Sequence, residues 1–84
     1  MPPRDIGSAY LKAFGRAVRA RRDAIDLSQE ALSFASKLHR TYISGIERGS
    51  RNPTLKIIVR LAQALDIEPD QLLAAAQEFL RKAR

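Results

Sequence analysis

Between residues 40 and 48 the chain reads RTYISGIER, and its hydrogen-bonding side chains gather on one side. At about 100° per residue, with Arg40 at 0°, Ser44, Arg48, Thr41 and Gly45 fall between about 0° and 140°. Ile43 and Ile46 lie opposite, flanked by Tyr42 and Glu47. A generic surface helix carries Glu/Lys pairs at such positions, whereas this face has Arg, Thr, Ser and Gly and no acid. Glycine costs a helix about 1 kcal/mol relative to alanine, so Gly45 implies that something approaches closely. The chemistry open to this set is non-covalent. Arginine can donate two hydrogen bonds to a guanine edge, threonine can bond a base while its methyl meets thymine, and serine and glycine let a duplex come near. The bland alternative is a solvated face on a helical domain.

Other chemistry finds little support. Among 84 residues there is no Cys and one His, which removes a disulfide framework, thiol catalysis and the usual zinc sites. No Gly-rich phosphate loop or nucleophile elbow is present, and nine acids scattered over helices are ordinary surface charge, so no enzyme, cofactor or metal is expected. The longest uninterrupted apolar run is Leu72–Ala76, and the start MPPRDIGSAY lacks a signal-peptide apolar segment. A cytoplasmic location is therefore expected. Charge is uneven: residues 1–60 hold 12 Lys+Arg against 5 Asp+Glu, net +7, whereas residues 61–84 hold 3 against 4. A basic front and a neutral, Leu/Ala-rich back point to a polyanion at one end and protein at the other.

The elements that must position residues 40–48 are helices. Residues 1–8 contain two prolines, a glycine and a serine without a period and are expected to form a loose arm, with the domain proper over 9–84. Tyr10, Phe14, Ala17, Val18 and Arg21 share one stripe, an amphipathic helix to about Asp23 on which Arg21 is the misfit. Ser28 can cap a second helix from about Gln29 to Ala35, with Ala31 where a reciprocal Glu would complete a capping box. A third helix, Arg40 to about Glu47, ends at Gly49, a residue suited to a left-handed stop. Thr54 can cap a fourth helix, striped by Leu55, Ile58, Leu61, Ala62 and Leu65. Pro69 and Asp70 suit the first turn of a fifth, over about 69–83. Two short helices joined by a tight turn, the second with a basic polar face, form a helix-turn-helix.

From Phe14 to Leu73 the chain resembles the Cro/repressor, or XRE-like, helix-turn-helix family. The residues that carry the resemblance are Phe14-Gly15, Val18-Arg19, Arg22, Leu27-Ser28-Gln29-Glu30-Ala31-Leu32, Thr41-Tyr42-Ile43-Ser44, Ile46-Glu47-Arg48-Gly49, Asn52-Pro53-Thr54-Leu55, Leu61-Ala62 and Ala64-Leu65. Residues 40–48 followed by Ser50-Arg51-Asn52 are most similar to the controller proteins of restriction–modification systems. The resemblance implies an all-α, five-helix, lambda-repressor-like fold and a sequence-specific DNA-binding regulator, with a phage- or plasmid-type repressor or a protein-binding antitoxin as the alternative. It places Arg40, Thr41, Ser44 and Gly45 at base-reading positions. It places Gln29, Ser50, Arg51, Asn52 and Lys56 at phosphate contacts, which Tyr42 and Arg48 are expected to join, and makes Arg22–Glu47 a structural ion pair. His39 is expected to be a turn or cap residue. Where the family often has Gly, this chain has Asp26 and Lys37, which must then supply left-handed turn conformations.

The expected partners are double-stranded operator DNA and a second copy of the chain, with no membrane and no small-molecule ligand. The basic amphipathic first helix admits a membrane-surface module, but so small a core needs its apolar stripe. On the fifth helix Ala76, Phe79, Leu80 and Ala83 line one stripe, whose distal half the other four helices are expected to leave uncovered as a dimer interface.

Overall fold

The computed structural model describes residues 5–83, which form five helices and no strand: α1 (Ile6–Ala24), α2 (Gln29–Ser36), α3 (Arg40–Glu47), α4 (Leu55–Ala64) and α5 (Pro69–Lys82). Ser28 and Thr54 accept from the backbone N–H groups of Ala31 and Ile57, as N-cap side chains do. Gln71 reaches back to accept from the Glu68 N–H at 3.2 Å, closing the first turn of α5. None of these described helices is long and apolar enough to cross a membrane.

The first helix starts earlier than the loose arm over residues 1–8 would allow. Asp5 caps it, accepting from the Ser8 hydroxyl at 2.7 Å and the Ser8 N–H at 3.1 Å, so that Gly7 and Ser8 are helical. These bonds, the hydroxyl first, hold the Asp5 carboxyl below its ordinary pKa, so the cap stabilises the helix at neutral pH and is lost as pH falls through that lowered value. Residues 1–4 of the expected arm lie outside the described residues.

Three helices end in the same way. After α1 the N–H of Leu27 bonds the carbonyl of Arg22 at 2.9 Å; after α3, Ser50 bonds Gly45 at 2.9 Å; after α4, Ile67 bonds Ala62 at 3.0 Å. Each closure needs one left-handed residue, supplied by Asp26 (φ 55°), Gly49 (φ 78°) and Asp66 (φ 54°). The segments Ala24-Ile25-Asp26-Leu27 and Ala64-Leu65-Asp66-Ile67 thus encode one stop signal twice. Lys37 (φ 59°) supplies the left-handed step between α2 and α3, as expected of it and of Asp26. The carbonyls left over at two helix ends are taken by arginines. Arg21, the misfit on the α1 stripe, donates to the carbonyls of Leu65 (2.9 Å) and Asp66 (2.8 Å) after α4. Arg60 donates to those of Ser36 and Lys37 after α2, each at 2.9 Å. A cation at a helix C-terminus also complements the backbone dipole.

Phe14, Val18, Leu32, Ile43, Ile46, Leu61, Leu65 and Leu72 fill a single core drawn from all five helices. The crossing of α1 over α3 leaves no room for a side chain at Gly15. A Cβ there would fall on the carbonyl oxygens of Ile46 and Glu47 and 2.8 Å from the Glu47 carbonyl carbon.

Most of the apolar stripe of α5 is buried in this core or packed against it. Ala76, expected at a dimer interface, is 0% exposed, and Phe79 and Leu80 are partly buried, lining a shallow recess with Ala9, Lys12, Ala13 and Arg16 of α1. Only Ala83 of that set remains exposed. The physical reason is that α1 lies along α5, with Ala9, Lys12, Ala13 and Arg16 beside the distal half of its stripe. Gly15→Ala is expected to lower stability even though alanine is the better helix former by about 1 kcal/mol. Overpacking costs about 1–3 kcal/mol, and two backbone carbonyls have no rotamer by which to yield. Urea denaturation of both proteins checks the sign.

Candidate nucleic-acid interface

The turn between α2 and α3 is three residues long, Lys37, Leu38 and His39. Leu38 is buried as the apolar plug of the corner. The Ser33 hydroxyl donates to the Leu38 carbonyl, and the buried Ser36 hydroxyl accepts from the Leu38 N–H at 3.3 Å. His39 is the N-cap of α3: its Nδ1 accepts from the N–H of Thr41 at 3.1 Å. The corner therefore hands α3 on at a defined angle, with Ile43 and Ile46 in the core and the opposite side in solvent.

On that outer side Arg40 and Thr41 are exposed in the first turn. Arg40 comes only to 3.9 Å from Glu30, both side chains largely in solvent, a pair worth little. One turn further, the hydroxyl of the half-buried Ser44 accepts from the Arg48 guanidinium. The loop after α3 folds back over the helix. The Ser50 hydroxyl donates to the Gly45 carbonyl at 3.1 Å, and the Arg51 guanidinium carbon sits 5.9 Å from the centre of the Tyr42 ring. Asn52 and Lys56 are exposed on the loop and the first turn of α4. Arg40, Thr41, Ser44, Arg48 and Arg51 thus gather around the exposed side of α3, six polar and charged groups with Ser50 and no carboxylate among them.

Two expected site residues are placed differently. Gly45 is buried, not open to an approaching duplex: a Cβ there would meet Arg51 Cγ at 2.7 Å, Arg51 Nε at 3.2 Å and Ser50 Oγ at 3.3 Å. The close approach that its glycine permits is that of the chain's own loop. Gln29, expected at a phosphate, turns its side-chain amide inward and donates to Glu47 Oε1 at 3.1 Å. A carboxylate accepts several hydrogen bonds, and the ends of three helices converge on this one.

The carboxylate of Glu47 is the hub of the buried electrostatics. Arg22 grips it with both arms, Nε at 2.8 Å and Nη2 at 3.0 Å, and gives Nη1 to the Leu27 carbonyl at 2.9 Å. The two side chains are 12% and 5% exposed. The hydrogen bond that Arg22 donates to the Glu47 carboxylate, above all, holds the guanidinium pKa above its ordinary value against the opposing effect of burial. The cluster thereby pins the end of α1 and the start of α2 to the end of α3. Arg21 and Arg60 have capping roles that no local pattern announces: their carbonyl partners lie 44 and 24 residues away for Leu65 and Ser36 respectively. The misfit of Arg21 on an apolar stripe is the one sequence signal either leaves.

Comparison with known proteins gives the same arrangement. A family model described as "Helix-turn-helix" matches residues 18–72. The control protein C.BamHI of Bacillus amyloliquefaciens is 49% identical over 61 residues, 71% of this chain and 75% of that one. The crystal structure of the restriction-modification controller protein C.AhdI from Aeromonas hydrophila is 53% identical with a TM-score of 0.72, over 74% of this chain and 94% of that one. The controller protein C.Esp1396I, solved as a tetramer in complex with its natural 35 base-pair operator, is 31% identical with a TM-score of 0.78, over 84% and 93% of the respective chains.

Removing one partner of a buried ion pair leaves the other charge uncompensated, at a cost of about 3–5 kcal/mol. Glu47→Ala is expected to lose that much in urea denaturation. Gln29→Ala, which deletes one bond to the same carboxylate, is expected to lose about 2 kcal/mol.

Proposed function

The chain belongs to the helix-turn-helix family of restriction–modification controller proteins, and on that premise we propose that it regulates transcription by binding a twofold-symmetric operator upstream of its own gene. The observation that carries this reading is the polar face of α3: cationic and hydroxyl-bearing, free of carboxylates, and offered to solvent by a helix whose other side is locked into the core. In a helix-turn-helix the second helix enters the major groove and its N-terminal residues meet base edges. Arg40 and Thr41 are the first two residues of α3, and both are exposed. They are the principal base readers in this reading, with Ser44 presented by Arg48 one turn on. Arg48, Ser50, Arg51, Asn52 and Lys56 hold the flanking phosphates, with Tyr42 at their edge. Such contacts fix the register of the protein on the duplex without reading sequence. Gln29 acts differently from a phosphate ligand: by holding Glu47 it leaves the first N–H groups of α2 as the groups of that helix that can face the backbone.

A symmetric operator requires two copies of α3 about 34 Å apart. Because α5 has spent its stripe on α1, the homodimer proposed here uses the outer face of α4. Leu55 is 70% exposed there, and Val59 stands one turn on, sharing a recess with Gln63 and Ile67. A twofold axis beside this face sets the start of one α4 against the end of the other, with its Asp66 and Glu68, so that acidic groups meet the positive end of a helix dipole. One small domain then carries both DNA recognition and dimerisation.

Footprinting on DNA upstream of the gene is expected to show a symmetric site. The affinity should fall with salt, the log–log slope being about 0.9 per phosphate neutralised. Equal affinity for random and upstream DNA across the titration overturns the proposal. Within the site, Arg40→Ala is expected to relax discrimination at one base pair per half-site by about 1–3 kcal/mol, measured by selection of binding sites from a random pool. The dimer face is tested separately by sedimentation: wild type dimeric and Leu55→Asp monomeric at the same micromolar concentration. A Leu55→Asp protein that stays dimeric rules this face out.

A further inference from the structure

Gly45 lies within the recognition helix yet is screened from solvent, chiefly by the flexible side chain of Arg51, with the Ser50 hydroxyl beside it. The loop that carries that side chain is fixed at its root. The N–H and the hydroxyl of Ser50 both donate to the Gly45 carbonyl, at 2.9 Å and 3.1 Å, and the left-handed Gly49 sends the chain back along α3. Arg51, the next residue, then lays its methylenes across the bare Cα of Gly45 and ends with its guanidinium over the Tyr42 ring. Residues 42 and 45 are one helical turn apart, so the ring and the glycine form a continuous platform on one flank of α3.

We propose that Gly45 and Tyr42 are positioning residues that hold Arg51 extended along the flank of the recognition helix as a preformed clamp for a DNA phosphate, and that Gly45 reads no base. The inference rests on the reading of α3 as the DNA-binding helix and deepens it. The physical reason for such a platform is entropic. A free arginine carries the rotamer entropy of a long, flexible stem, part of which is lost whenever it is immobilised on a phosphate; an arginine already laid out along a groove loses less on binding. The ring face attracts the guanidinium at this separation without using any of its five N–H donors, all of which stay available to phosphate oxygens. Any side chain at position 45 removes the groove. A methyl group there would lie 2.7 Å from Arg51 Cγ, and since arginine can rotate away while the backbone stays, the side chain is what moves.

The position therefore has an unusual signature, because stability and binding should change in opposite directions. Gly45→Ala gains helix propensity in the folded protein and is expected to raise the unfolding midpoint, or leave it unchanged, while weakening operator binding several-fold. The loss should be shared by all sequences, the salt slope should become shallower by about 0.9 per protomer bound, and the base preferences from selection should stay those of wild type. The decisive measurement is a double-mutant cycle on operator DNA with Arg51→Ala: in that background Gly45→Ala is expected to cost nothing further. A free-protein readout accompanies it. The δ-methylene and Nε–H proton resonances of Arg51, shifted by the Tyr42 ring current in wild type, should move to ordinary arginine values in Gly45→Ala. Wild-type affinity in Gly45→Ala, an equal loss in the Arg51→Ala background, or altered base preference overturns the proposal. Failure of the wild-type chain to prefer its upstream DNA would instead strike the parent reading, while the ring-current shift and its loss would still report on the platform itself.

Discussion

The bidentate bond between Arg22 and Glu47 is the joint on which this small domain turns. It fixes three helix ends at one point: the last turn of α1 through Arg22, the start of α2 through the Leu27 carbonyl and Gln29, and the end of α3 through Glu47 itself. Desolvating two charges is expensive, and a hydrophobic pair of the same volume would often stabilise as well or better. What a hydrophobic pair would lack is direction. A guanidinium and a carboxylate meet in one plane and one orientation, and α3 must be oriented, since every hydrogen-bonding group on its outer face depends on the rotation of that one helix about its axis.

The same requirement explains why so much of the polar chemistry of the chain is turned inward. The α2–α3 corner is stitched by Ser33, Ser36 and His39, and Arg60 reaches from α4 to the same end of α2. Gly15 lets the backbone of α1 lie directly on the last carbonyls of α3, close enough to exclude a methyl group. With a helix of only eight residues between corner and stop, cooperativity within the helix contributes little, and α3 owes its existence to these tertiary holds. Rigidity at its buried side and freedom at its outer side are two consequences of one arrangement.

Dimerisation and recognition are linked by how little surface is left over. All five helices contribute to one core, and the largest apolar residues of α5 are consumed by α1. The remaining exposed large apolar side chains among the described residues are Ile6, Phe34 and Leu55. Of these, Leu55 follows directly on the loop that carries Arg51 and Asn52. A contact between copies on α4 would thus act on the same segment that folds over α3, so the spacing of two recognition helices and the placement of their phosphate clamps would be set together.

The sequence by itself determined what depends on local geometry. The bounds of α3, the caps at Ser28 and Thr54, the left-handed stop at Gly49, and the division of α3 into an isoleucine side and a polar side follow from the helical period and from steric rules within a few residues. The left-handed steps at Asp26 and Lys37 were legible through the family pattern, which often has Gly there. The pair of Arg22 and Glu47, 25 residues apart, was legible only because the family pattern marks both positions. Tertiary structure alone decided what covers each face. Periodicity shows that α5 has an apolar stripe but not that α1 lies along its distal half. It shows that Gly45 needs a close neighbour but not that the neighbour is Arg51, and it shows that Gln29 is polar but not that its amide turns toward Glu47. Arg21 and Arg60 were invisible as caps for the same reason: the carbonyls they satisfy belong to helix ends that only the packing of the chain brings within reach.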